Sequence, residues 1–197
     1  MQIGDTAQQE TATIAVKATV ERFGGLHVLI NNAGIGSEGN ITQTSAADFD
    51  RVMAVNVAGY FHMAKAALPE LVKTRGAIVM TSSVSGLAGG WKMFAYNTSK
   101  GAVSNMVRAM ALDAAKDGVR VNAVNPSFTK TGLTEDMLND DALVAKFRER
   151  MPLGAPEDPE GVAAAMAFLA SDDARLITGV NLPVDAGLSA SNGQPPQ

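Results

Sequence analysis

Tyr96 and Lys100 are the first residues whose spacing suggests chemistry. They lie four positions apart in a stretch of helical periodicity, so they share one face and sit side by side. An ammonium beside a phenol favours the phenolate and draws its pKa from about 10 towards neutrality. Such a phenol can give or take a proton near pH 7, although ordinary surface pairs show the same spacing. Ser83 lies thirteen positions before Tyr96, just past the apolar run 77–80. Ligands of open α/β sheets bind at the carboxyl edge of the strands, so a hydroxyl there can meet the oxygen that Tyr96 protonates. Turn capping is the bland reading of Ser83 and of its neighbours Ser82 and Ser85. Asn56, between Val55 and Val57, is an amide inside a helical stretch, disfavoured unless a core or functional group partners it.

The run 34–39 reads Gly-Ile-Gly-Ser-Glu-Gly and matches the G-x-G-x-x-G pattern of dinucleotide loops. That pattern requires a helix to begin at the glycines, so that its N-terminus can hold the pyrophosphate. Here Asn40 to Thr44 intervene before a helix start at Ser45, and no acidic residue ending a second strand follows. The segment reads as a loop at the end of a strand.

Four short apolar runs, 26–30, 77–80, 119–124 and 179–184, position these residues. Three lack alternation, as expected of strands buried on both faces of a parallel sheet, whereas 119–124 alternates through Arg120 and Asn122. Helical spacing fills the intervals. One helix is expected over 8–23, ending at Gly24-Gly25, and another opens at the capping box Ser45-Ala-Ala-Asp48 and runs towards Lys73. Pro69 is expected to kink that helix or to end its first segment. Further helices are expected over 96–116, 141–150 and 157–170. The alternation makes the fold class α/β, with a doubly wound, Rossmann-like parallel sheet in one domain over 1–197 and an irregular tail over 189–197.

Sixteen basic against twenty acidic residues give a net charge of −4, which leaves no basic stripe for nucleic acid or an anionic membrane. No apolar run approaches the ~20 residues needed to span a bilayer. The absence of cysteine excludes disulfides and thiolate metal sites and fits a reducing, cytoplasmic setting. His27 and His62 are too few for a metal site, so none is expected.

Taken together, the motifs resemble the short-chain dehydrogenase/reductase family over nearly the whole chain. Asn31-Asn32-Ala33-Gly34 resembles its Asn-Asn-Ala-Gly motif, and Asn56, Ser83, Tyr96 and Lys100 fall on its catalytic tetrad. The segments 125–131, 151–154 and 169–187 resemble its later signatures. The resemblance implies reversible hydride transfer between NAD or NADP and a secondary alcohol or ketone. Tyr96 would be the acid/base, Lys100 would hold the nicotinamide ribose, Ser83 would orient the substrate oxygen and Asn56 would anchor a relay water. Asp5, Asn32, Ala33, Gly34, Pro126, Phe128 and Thr131 would line the cofactor together with Tyr96 and Lys100. Ser85, Trp91, Met93, Phe94, Met137 and Leu138 would line the substrate, whose body is then expected to be apolar or cyclic. A homodimer or homotetramer is expected, with Ala102, Val103, Met106, Val107 and Met110 as a small apolar contact face.

The family's opening strand and Gly-rich turn have no counterpart here, a shortfall of roughly fifty to sixty residues, about two βα units. On that reading the fold is N-terminally truncated and the run 26–30 becomes an apolar edge. The chain would then bind dinucleotide weakly, and the alternative is a non-catalytic subunit that oligomerises without holding cofactor.

Overall fold

The computed structural model describes residues 4–192 and 194. Helix α1 (Gln9–Phe23) ends at Gly24, whose positive φ of 80° lets its N–H cap the Val20 carbonyl. Strand β1 (Val28–Asn31) follows. Helix α2 (Ala46–Met53) starts where Ser45 Oγ accepts the Asp48 N–H, and it passes through a π-helical segment, Ala54–Ala58, into α3 (Gly59–Thr74). Strand β2 (Ala77–Thr81) leads to α4 (Phe94–Ala114), which closes through a 3₁₀ turn onto Gly118 at φ 76°. After β3 (Arg120–Pro126) come the short α5 (Glu135–Leu138), α6 (Asp141–Arg150), α7 (Pro159–Ala170) and β4 (Asn181–Val184).

All strand pairs are parallel, in the order β1-β2-β3-β4. Helices α1, α3 and α4 cover one face, where Val16, Leu71, Val103 and Val107 meet Ile78, Met80 and Val121. Helix α7 covers the other, where Met166 and Leu169 meet Val79 and Val124. Successive β2 residues thus enter different cores, which is why that run does not alternate. Arg120 and Asn122 break the pattern of β3 for a separate reason. The Arg120 guanidinium donates to the carbonyls of Leu169, Ala170 and Ser171 and closes the end of α7. Asn122 donates to the Ile177 carbonyl and accepts the Val180 N–H, which fixes the approach to β4. Among the described residues β1 ends the sheet, and its Ile30 is 44% exposed.

Three expectations are corrected. Helix α3 continues through Pro69 to Thr74. The missing Pro69 N–H would have met the Lys65 carbonyl, and both residues lie on the exposed face, where water can serve that carbonyl. The interruption falls instead at the π segment around Asn56. Val103 and Val107 are fully buried against this chain's own sheet, so they cannot form a face between subunits. The tail does not begin irregularly, because Leu188–Ala190 forms a 3₁₀ turn; Pro195 and Pro196 lie outside the described residues.

Candidate active site

The carboxyl ends of β1, β2 and β3 and the first turns of α4 converge on one group of side chains. Asn56 is fully buried in the π segment. Its Oδ1 accepts the Ile35 N–H at 2.9 Å, and its Nδ2 donates to the Ile35 carbonyl at 2.9 Å and to Ser99 Oγ at 3.0 Å. Both amide hydrogens are therefore committed, and the loop after β1 is pinned to α4 through Ser99, whose hydroxyl donates to the Tyr96 carbonyl at 2.7 Å. The glycine-rich run 34–39 accordingly opens no helix. Gly39 instead forms an isolated bridge with Met93.

Lys100 is 3% exposed, and its Nζ donates to the Thr81 carbonyl at 2.8 Å. The ammonium lies 5.6 Å from the centroid of the Tyr96 ring. Burial lowers the Lys100 pKa to about 8. Burial likewise raises that of Tyr96, opposed by hydrogen bonding with Ser83. Burial thus overturns the expected lowering of the phenol. The ammonium is held on a backbone carbonyl, and desolvation disfavours the charged form of both groups. Tyr96 is consequently a neutral phenol. Ser83 Oγ accepts the Ser85 N–H at 3.1 Å and donates weakly to the Pro126 carbonyl at 3.4 Å. Beneath it, the Asn125 amide donates to the Ser83 carbonyl at 2.8 Å, and Ser82 Oγ donates to the Lys100 carbonyl at 2.9 Å, so the strand end and the helix are cross-tied.

The remaining expected residues divide into two groups. Asn32, Ala33 and Gly34 are exposed at the carboxyl edge, with Asn32 Oδ1 accepting the Thr81 hydroxyl at 2.8 Å. A Cβ on Gly34 would come 3.3 Å from Asn56 Oδ1 and 3.5 Å from Lys100 Nζ, so a side chain at this position would press on the Asn56 amide. Pro126 ends β3 beside Ser83, and Ser85 is half-buried next to Gly90. Phe94 stacks on Phe49 at 6.2 Å, and Met93 is half-buried beside it. Other residues are occupied elsewhere. The Phe128 ring is 3% exposed and stacked on Phe147 at 4.5 Å, in a small core that Met137 and Leu138 also cover. Its side chain has no face left for a cofactor. Asp5 caps its own turn through the Ala7 N–H, Thr131 caps the turn at Gly132–Thr134, and Trp91 is 96% exposed.

Two groups at the heart of the site escaped the sequence reading. Tyr60 is 2% exposed and packs under Lys100; its place four residues after Asn56 was the available signal. The Thr81 carbonyl, which holds Lys100, carries no side-chain signal at all.

Comparison with known proteins places nearly the whole chain in one family. The family profile described as enoyl-(acyl carrier protein) reductase matches residues 3–189. The meso-2,3-butanediol dehydrogenase of Serratia marcescens is 50% identical over 175 residues, 89% of this chain and 69% of that protein. A gluconate 5-dehydrogenase from Burkholderia cenocepacia, solved with NADP and tartrate, superposes with a TM-score of 0.92 at 27% identity, covering 96% of this chain and 75% of that one. A 3-ketoacyl-(acyl-carrier-protein) reductase from Brucella melitensis, solved with NADH, superposes with a TM-score of 0.86 at 31% identity, covering 94% of this chain and 76% of that one. Among the described residues no helix is long and apolar enough to cross a membrane. With Asn56, Ser83, Tyr96 and Lys100 gathered at one sheet edge and the match spanning nearly the whole chain, the protein belongs to the short-chain dehydrogenase/reductase family and is an NAD(P)-dependent oxidoreductase acting on secondary alcohols and ketones.

Proposed function

We propose that Tyr96 is the acid/base of this reaction, with Ser83, Lys100 and Asn56 in the supporting roles the family resemblance implies. The observation that carries the reading is the convergence of Ser83 and Tyr96, the pair that would bracket a substrate oxygen, at the carboxyl edge beside a buried ammonium. In the reducing direction the neutral Tyr96 hydroxyl donates its proton to the carbonyl oxygen while Ser83 Oγ orients that oxygen. Lys100, kept charged, lowers the cost of the phenolate left behind. A water bridging the free lone pair of Asn56 Oδ1 to Lys100 Nζ, as the family resemblance implies, would let the proton be replaced.

The open surface at Asn32, Ala33 and Gly34, all three exposed at the carboxyl edge, suits backbone approach by a dinucleotide. When bound, the nicotinamide supplies or accepts the hydride. Asn32 to Gly34 would lie along the adenosine half and Lys100 against the nicotinamide ribose. Pro126 and Thr131 would bound the nicotinamide, with Phe128 contributing backbone only. Ser85, Met93 and Phe94 form the substrate wall we favour, and the butanediol dehydrogenase relative makes a small diol or hydroxyketone the first substrate to assay. The non-catalytic alternative has no support, since the relatives named above are dehydrogenases or reductases.

We also infer a homodimer or homotetramer in the cytoplasm. Its contact face would be the outward side of α3 and α4, where Phe61 is 49% and Leu112 81% exposed.

Turnover of 2,3-butanediol with NAD or NADP, followed by nicotinamide absorbance, tests the assignment. Tyr96→Phe is expected to lower kcat at least about 100-fold with unchanged folding. Activity within about tenfold of the parent would refute the role given to Tyr96.

A further inference from the structure

Tyr60 sits where no role has been assigned. Its hydroxyl donates to the Thr81 carbonyl at 3.2 Å, the same oxygen that accepts from Lys100 Nζ at 2.8 Å. Its ring centroid lies 5.7 Å from Lys100 Nζ, and the Tyr96 centroid lies 5.6 Å from it, so the ammonium is flanked by two aromatic rings. Among the described residues no carboxylate pairs with Lys100. The groups around the ammonium are Tyr60 from α3, Tyr96 from its own helix, the Thr81 carbonyl from β2, and Asn56 Oδ1 beside Gly34. A buried ammonium lacking a counter-ion is costly, and the negative faces of aromatic rings are one of the few compensations a dry site offers.

We propose that Tyr60 is a positioning residue whose ring face keeps Lys100 charged and beside Tyr96, its hydroxyl pinning that ring to the carbonyl Lys100 uses. Burial already draws Lys100 down to about 8, so a further loss of half a unit to one unit would leave about a quarter to a half of it neutral at pH 7. Tyr60 thereby acts through Lys100 on the ease with which Tyr96 gives up its proton. This consequence rests on the roles proposed above, whereas the charge state of Lys100 does not.

The test is an NMR titration of the Lys100 Nζ and Cε resonances in the cofactor-free protein, assigned by their loss in Lys100→Arg. Tyr60→Leu, which removes the ring face, is expected to lower the titration midpoint by about half a unit to one unit. Tyr60→Phe keeps the ring and is expected to shift it by less than half as much. The alkaline limb of kcat/KM should move with the midpoint. A Tyr60→Leu midpoint unchanged or raised, or a Tyr60→Phe shift as large, overturns the proposal. Should Tyr60→Leu not fold, pentafluorophenylalanine at position 60 has nearly the same shape with the face polarity inverted. It must lower the midpoint; no change would equally overturn the proposal. Because the titration needs no turnover, an inactive protein would count against the proposed function and leave this reading intact.

Discussion

Replacing Asn56 by alanine should separate the site's architecture from its chemistry. The amide makes three hydrogen bonds of 2.9, 2.9 and 3.0 Å, two of them to the backbone of Ile35 and one to Ser99. Alanine leaves the Ile35 N–H and carbonyl unpartnered, while Ser99 keeps its bond to the Tyr96 carbonyl. An orphaned buried polar group costs about 1–3 kcal/mol. Ile35 is half-buried and partly reachable by water, so the lower part of that range applies to each of its two groups. The expected loss is then about 2–4 kcal/mol, or a Tm lower by about 5–15 °C for a chain of this size. The loss should also be local. The Ile35 amide should lose its exchange protection almost entirely, whereas the amides of Ile78 and Val79 in β2 stay protected and change only by the global destabilisation. Thermal unfolding with residue-resolved exchange reads both quantities. A Tm within about 2 °C of the parent, with Ile35 protection unchanged, would refute the claim that Asn56 pins this loop.

Two further outcomes follow from the structure. Burial, with Asp185 adding to it and the Thr129 hydroxyl and Ser127 backbone opposing, pushes the Glu157 carboxyl from 4.5 up to about 7. The folded state therefore holds a proton that the unfolded chain has lost, and stability should fall as pH rises from about 4.5 through 7. Glu157→Gln should flatten that fall, by about 1 kcal/mol once solvent screening is allowed for, which Tm measured at pH 5 and pH 8 will show; an unaltered slope would contradict the assignment. Leu112→Lys should shift sedimentation at micromolar concentration towards a smaller species by weakening self-association at least about tenfold, and an unchanged profile would remove α4 from the contact face.

What could be read from the residues alone was whatever is local or strictly periodic. Short apolar runs placed the four parallel strands within a residue or two of their ends, but not their burial: β2 is buried on both faces as its unbroken run suggests, β1 and β4 are not, and the alternating β3 is buried throughout its middle. Helix stops at Gly24 and Gly118 follow from a backbone conformation that glycine adopts without strain. Tyr96 and Lys100 share a face because a helix puts them there, and Ser83 reaches the same edge because β2 ends just before it. Long-range partners decided the rest. The π segment forms around an amide whose partners, Ile35 and Ser99, are 21 and 43 residues away, and no local propensity encodes that. Pro69 was misread because its tolerance depends on which side of α3 faces water. Val103 and Val107 looked like a contact face because periodicity shows that a stripe is apolar without showing what covers it. The charge balance at Tyr96 was also misjudged, since spacing brings an ammonium near but says nothing of burial. Desolvation outweighs that proximity once α3, β2 and α4 close over the pair, and only the packed fold sets how dry the pair becomes.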